Sequence, residues 1–155
     1  MHTLRPALKM RAAREEDLPD LYRLDNEVFQ ATPYPYFVLR QFFDMRPESL
    51  LVLDDGMRLH GYVYFATTSD RQGSWVVSLC VAPDRQRRGL GRRLMLEVLR
   101  QLRQEGIREV RLTVEPDNVA AVALYRSLGF TAEQGVHRNY LGPGEDRLIM
   151  TLNLG

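Results

Sequence analysis

The chain predicts an α+β domain, and three features carry that prediction. A glycine-bearing turn opens directly into a strongly amphipathic helix, short apolar runs alternate like strands on both sides of it, and the strands cluster in the chain instead of alternating strictly with helices. Residues 9–13 predict a first short strand, after which Glu15 and Asp17 stand where acidic side chains favour a helix start. Leu18, Leu21, Tyr22, Asp25, Val28 and Phe29 recur at helical spacing with one polar member, Asp25, and predict a helix to about Phe29. The segment Thr32-Pro33-Tyr34-Pro35-Tyr36 breaks it, because each proline disfavours helix for the residue before it. Residues 37–45 predict a second short helix that stops at Pro47, with Phe37, Phe42 and Phe43 expected in the core. Residues 50–53 and 59–66 flank Asp54-Asp55-Gly56-Met57-Arg58, a turn-rich connection of the hairpin kind. A second turn over residues 69–73 leads into a long strand over residues 75–81.

The helix after the glycine turn is the clearest element. Leu94, Met95, Val98, Leu99 and Leu102 form one apolar stripe, arginine and glutamine fill the other face, and Gly106 is placed to end it in a left-handed cap. Residues 110–114 alternate like a strand, and Asn118 is placed to cap a short helix carrying Ala121, Leu124 and Leu128 that Gly129 closes. Residues 130–134 and 148–154 are the last two expected strands.

At 155 residues the chain is expected to be a single domain, residues 1–155, with a loose leader over residues 1–7. Its net charge of +1 offers no global attraction to nucleic acid or an anionic membrane, and its basic character is local, which suits a small polyanionic ligand. One cysteine, Cys80, excludes internal disulfides and fits a reducing compartment, and no apolar run approaches membrane-spanning length. A cytoplasmic protein, monomer or homodimer, is expected. His2, His60 and His137 show no metal-ligand spacing, so no metal is expected.

The chemistry concentrates where the long strand runs into Gln86-Arg87-Arg88-Gly89-Leu90-Gly91. Glycines let the backbone turn tightly and approach a ligand, while a helix N-terminus offers unpaired N–H groups and partial positive charge to a phosphate. Arg85, Arg87, Arg88, Arg92 and Arg93 add charge to the same turn. An ordinary strand-to-helix loop with a solvated basic rim would carry the same residues, so the motif alone leaves both readings open. A dinucleotide fingerprint is excluded because its third glycine would fall on Leu94, and a Walker loop because no Gly-Lys-Ser/Thr follows.

The segment Leu79-Cys80-Val81-Ala82-Pro83-Asp84-Arg85-Gln86-Arg87-Arg88-Gly89-Leu90-Gly91, followed by Asn118 and by Leu124-Tyr125-Arg126-Ser127-Leu128-Gly129-Phe130, resembles the GNAT superfamily of acetyl-CoA-dependent N-acetyltransferases. Arg138-Asn139-Tyr140 and Glu145-Asp146-Arg147-Leu148-Ile149-Met150 are similar, more narrowly, to the RimI-type branch that acetylates protein N-terminal amines. The resemblance is strong from about Val76 onward and weak before Leu50. It implies a GNAT-like fold, a central splayed mixed sheet of about six to seven strands flanked by about four helices.

It also implies acetyl-CoA as co-substrate, direct attack by a primary amine, and roles for particular residues. Backbone around Leu79, Cys80 and Val81 would meet the thioester and pantetheine, with the Val81 N–H as oxyanion donor. Gln86, Arg87, Arg88, Gly89, Leu90, Gly91 and Arg92 would hold the diphosphate, and Asn118 and Tyr125 would also contact the cofactor. Tyr125 would be the general acid; with a phenol near about 10 and a thiol near about 8.5, its proton transfer to the thiolate is slightly uphill. RimI-type enzymes carry a glutamate twelve residues before that tyrosine, and here the position is Thr113. Glu115 is the substitute base, with Pro116 able to turn it away, and His137 and Glu27 rank below it. An α-amine suits this departure better than lysine, whose deprotonation costs about 3.3 kcal/mol more. Cys80, inside an apolar strand with no adjacent histidine, is not expected to act as a nucleophile.

Tyr34, Tyr36 and Tyr140 are the expected acceptor contacts, although Leu141 replaces the second tyrosine of an Asn-Tyr-Tyr element. The acceptor would be a peptide N-terminus or, alternatively, a small amine such as an amino acid, polyamine or antibiotic. A reading from another class, a non-catalytic acyl-CoA-binding module, is favoured only by the missing glutamate. No nucleic acid or membrane partner is expected.

Overall fold

A computed structural model describes residues 7–155, so residues 1–6 of the expected leader lie outside the described residues. The strands are β1 (Lys9–Ala12), β2 (Leu50–Asp54), β3 (Leu59–Thr67), β4 (Gly73–Val81), β5 (Glu109–Val114), β6 (Thr131–His137) and β7 (Arg147–Asn153). The helices are α1 (Leu18–Val28), α2 (Tyr36–Met45), α3 (Leu90–Gln104) and α4 (Val119–Ser127). The seven strands form one sheet in the order β1-β2-β3-β4-β5-β7-β6. It is mixed, since β4 runs parallel to β5 while β1–β2, β2–β3, β5–β7 and β6–β7 are antiparallel. Two compact units divide the described residues, 7–64 with 78–96 and 65–77 with 97–155.

In the first unit the β2–β3 hairpin supplies a continuous buried ribbon, Leu50, Leu51, Val52 and Leu53 on one strand and Tyr62, Val63 and Tyr64 on the other. Gly61 lies within β3 where the backbone leaves no room for a side chain: a Cβ would stand 3.1 Å from the Cys80 carbonyl oxygen and 3.2 Å from Leu53 Cδ1. Pro19, in the first turn of α1, carries no N–H that the helix would leave unpaired. Leu18, Leu21, Leu24 and Asp25 are the buried face of α1. Tyr22, part of the periodic set in the sequence, is 39% exposed, and Leu24 takes its place in the core. Phe37 is a second correction. It is 63% exposed, because Leu39 is the residue of α2 that turns into the core.

An ion triad closes this unit. The Arg11 guanidinium donates from Nη1 and Nη2 to both Asp17 oxygens at 2.7 and 2.9 Å and from Nη2 to Asp54 at 3.1 Å, joining β1, the start of α1 and the end of β2. Burial alone would raise the Asp17 carboxyl, but the hydrogen bonds from Arg11 and the Arg14 N–H outweigh it and hold it below its ordinary value.

In the second unit β5 is buried at alternate positions, Val110, Leu112 and Val114. Its parallel ladder with β4 runs from Gly73↔Glu109 to Val76↔Leu112, whereas its ladder with β7 continues to Val114↔Leu148. The strand expected over residues 130–134 is longer, because a shift between Glu133 and Val136 lets β6 resume after a kink. Gln134 and Gly135 take φ of 50° and 71° there, and pairing returns through His137. α4 ends at Gly129, whose φ of 99° makes the left-handed cap.

Candidate active site

The first unit contains the turn between β4 and α3. After β4 the chain makes a single 3-10 turn, Pro83–Arg85, and then two residues adopt left-handed backbone, Arg87 at φ 66° and Gly89 at φ 75°. For arginine that region is sparsely populated, and such strain concentrates where backbone N–H groups are presented to a ligand. Gln86, Arg87, Arg88 and Gly89 are all exposed. The ladder of α3 begins with the Arg93 N–H on the Gly89 carbonyl at 2.9 Å, which by helix geometry leaves the N–H groups just before it directed outward. The Gln86 amide donates to the Val81 carbonyl at 3.1 Å and so ties the turn to the end of β4. A Cβ at Gly89 would meet nothing within 4 Å, so the space over the turn is open.

Along β4 the even residues Ser78 and Cys80 are buried and Leu79 and Val81 are half-buried. Burial pushes the Cys80 thiol well above its ordinary value, with the Asp25 and Glu27 charges adding to the effect. A thiol held protonated in an apolar strand is a poor nucleophile. On α1 and the segment after it, the Tyr34 ring stands edge-on to Phe42 at 5.3 Å, and Phe42 in turn stacks on Tyr64 at 4.3 Å. Tyr36 is more open, 42% exposed, and lies edge-on to Tyr22 at 5.5 Å. Glu27 accepts from Arg23 at 2.8 Å and has Arg58 at 3.7 Å.

The second unit contains α4 and the approaches to β7. Asn118 is exposed and its Oδ1 accepts from the Ala121 N–H at 3.2 Å, a local N-cap. Tyr125 is 7% exposed, with its ring edge-on to Phe130 at 6.0 Å. Burial pushes its phenol up to about 12, so the proton transfer taken from sequence as slightly uphill is steeper by about two further units.

β5 stops at Val114, one residue short of Glu115. Glu115 therefore leaves the strand face and opens a turn in which its carbonyl accepts from the Asn118 N–H at 3.0 Å. Its carboxylate, 57% exposed, lies 3.7 Å from Arg147, which is held more tightly by Glu145 at 3.0 Å. Glu115, Pro116, Asp117, Gly144, Glu145, Asp146 and Arg147 line an open cavity of about 500 Å³. Tyr140 is 43% exposed and edge-on to His137 at 5.9 Å. Thr113 stays within β5, paired with Ile149.

Sequence reasoning missed the contacts of two residues. The contact of Arg147 with Glu115 had no local signal, because the two residues lie far apart in the chain. Asp25 did have one: it is the polar member of an apolar stripe. Among the described residues no group of three His, Cys, Asp or Glu is placed to hold a metal ion, and no helix is long and apolar enough to cross a membrane.

A family model described as "Acetyltransferase (GNAT) family" matches residues 12–130. The [ribosomal protein bS18]-alanine N-acetyltransferase of Salmonella typhimurium is 44% identical over 78 residues, 48% of this chain and 52% of that protein. The chain thus spans about half the length of this curated relative. A mycothiol acetyltransferase from Saccharomonospora viridis is 56% identical over 50 residues, 32% of this chain and 16% of that protein. Among solved structures, the ribosomal-protein-S18-alanine N-acetyltransferase of Escherichia coli superposes with a TM-score of 0.81 at 27% identity, covering 96% of this chain and 94% of that one.

Proposed function

We propose, from the premise that this chain belongs to the acetyltransferase (GNAT) family, that it transfers an acetyl group from acetyl-CoA to the α-amine of a protein or peptide N-terminus. The observation that carries the reading is the passage from β4 into α3, where Arg87 and Gly89 adopt left-handed backbone beside an open helix start. That arrangement offers several N–H donors to one compact anion, which suits a diphosphate. Arg88 and Arg92 add charge without fixing geometry, while Leu90 and Gly91 supply donors from the first turn.

The neutral amine attacks the thioester carbonyl carbon, a C–N bond forms as the C–S bond breaks, and coenzyme A leaves as the thiolate. The Val81 N–H is the proposed donor to the oxygen on which charge develops, with Leu79 and Cys80 backbone aligning the pantetheine arm. A donor of this kind is worth about 3 to 4 kcal/mol of barrier. Asn118 is proposed to contact the cofactor with the amide edge its capping bond leaves over. Tyr125 is proposed to donate a hydrogen bond to the departing sulfur, and Glu115 to accept the proton the amine loses. Tyr34, Tyr36 and Tyr140 are proposed acceptor contacts.

A peptide N-terminus is favoured over a small amine by the reach of the likenesses. The structural likeness to the Escherichia coli S18-alanine enzyme covers 96% of this chain and 94% of that one. The test is mass spectrometry of peptides incubated with the protein and acetyl-CoA, some with a free N-terminus and some blocked but carrying lysine. One acetyl group on the free α-amine is expected. Transfer only to lysine or to small amines would overturn the acceptor assignment, and no transfer to any amine would overturn the reading altogether.

A further inference from the structure

α1 buries a carboxylate that its apolar face does not need. Asp25 is 0% exposed on the same face of α1 as Leu21 and Leu24, which are also fully buried. Desolvating a carboxylate is costly unless its oxygens are satisfied, and an ordinary core would place a leucine there. Both oxygens are used, and in different directions. Oδ2 accepts the Tyr34 N–H at 2.7 Å, a bond to the connection between α1 and α2. Oδ1 accepts the Tyr62 hydroxyl at 2.5 Å, and that hydroxyl also meets Ser78 Oγ at 2.9 Å. One side chain therefore joins the middle of β3, and through it β4, to the backbone of the segment that carries Tyr34 and leads into Tyr36.

We propose that Asp25 is a positioning residue for the acceptor: its carboxylate pins residues 29–35 to the sheet through Tyr62 and Ser78, and so fixes where Tyr34 and Tyr36 stand. This rests on the acetyltransferase reading, with Tyr34 and Tyr36 facing the acceptor. The connection has reason to need a pin. It contains Pro33 and Pro35, which restrict the backbone but remove two N–H groups that could anchor it. The Tyr34 N–H lies between those two prolines. A charged acceptor makes a stronger bond to that N–H than a neutral one. Burial raises the Asp25 carboxyl above its ordinary value, and the bonds donated by Tyr62 and the Tyr34 N–H offset part of that rise.

The test uses Asp25→Asn and Tyr62→Phe in the full chain. Asparagine keeps one acceptor oxygen but turns the other into a donor, so the Tyr34 bond becomes neutral or is lost. Tyr62→Phe cuts the link to the sheet and leaves the Tyr34 bond. Hydrogen exchange at the Tyr34 amide should quicken about tenfold in Asp25→Asn, the change that about 1.4 kcal/mol produces. The KM for an acceptor peptide should rise about five- to tenfold, while kcat and the KM for acetyl-CoA stay within about twofold. Tyr62→Phe should shift the acceptor KM in the same direction by less, and it decides the matter if Asp25→Asn does not fold. Unchanged exchange at Tyr34, an unchanged acceptor KM, or an equal rise in both KM values would overturn the proposal. Wild-type protein that acetylates no amine would sink the acetyltransferase reading instead; the exchange measurement then decides the pin alone, faster exchange upholding it and unchanged exchange overturning it.

Discussion

Replacing Tyr125 by phenylalanine removes one hydroxyl and keeps the ring that stands against Phe130. The phenol is pushed up to about 12 by burial, against about 8.5 for an ordinary thiol, a gap of about 3.5 units or about 4.8 kcal/mol. A proton transfer that far uphill does not run to completion beside the sulfur. In the proposed role the hydroxyl is then mainly a hydrogen-bond donor to the developing thiolate, and a bond to a charged group is worth about 1.5 to 3 kcal/mol. Each 1.36 kcal/mol is a factor of ten, so kcat should fall about 10- to 150-fold, below the upper range of full general acid catalysis. Thiol release at saturating peptide and acetyl-CoA reads this directly, with a thermal melt to show that the fold is unchanged. The KM for acetyl-CoA should stay within about twofold. An unchanged kcat would make Tyr125 a packing residue, and a loss beyond about 10⁴ in a stable variant would mean complete proton transfer; either result refutes the reasoning.

Gly89→Ala should raise the KM for acetyl-CoA about tenfold with little change in kcat, because alanine at φ 75° costs about 1 to 2 kcal/mol although its Cβ has open space; steady-state kinetics at varied acetyl-CoA decides it. Glu115→Gln should slow transfer to a lysine-bearing acceptor more than to an α-amine, since the α-amine sheds its proton more readily near neutral pH, and a pH-rate profile with both acceptors would show the split. The Asp17 carboxyl lies below its unfolded value, so its contribution to stability is present above about pH 4 and is lost as pH falls through the folded value. Arg11→Met removes the guanidinium that holds it down, so the melting temperature of that variant should fall less between pH 6 and pH 3 than that of the wild type.

Features governed by local physics were legible in the sequence. The α3 stripe, the Asn118 cap and the Gly106 and Gly129 termini each depend on residues a few positions apart, and all are present. The glycine turn was visible for the same reason, since Gly89 and the start of α3 adjoin. Features set by distant partners were not legible. Whether Glu115 stays on the strand face depended on where β5 releases its neighbours, and Arg147 reaches it from β7. The exposure of Phe37 follows from which face of α2 Leu39 selects, a tertiary choice that three phenylalanines in one helix do not reveal. β6 ran past its expected end because Gly135 tolerates the backbone that continues a kinked strand. Asp25 stands between these cases. Its periodicity placed it on the buried face, while its reason for being there required the Tyr34 amide and the Tyr62 hydroxyl.

The central claim is that main-chain donors around Gly89 grip a diphosphate, and calorimetry comparing coenzyme A with pantetheine tests it most directly. Several charge-assisted bonds to the diphosphate predict coenzyme A binding at least about a hundredfold more tightly, about 2.7 kcal/mol. Equal affinity for the two, or no heat from coenzyme A, would contradict the account.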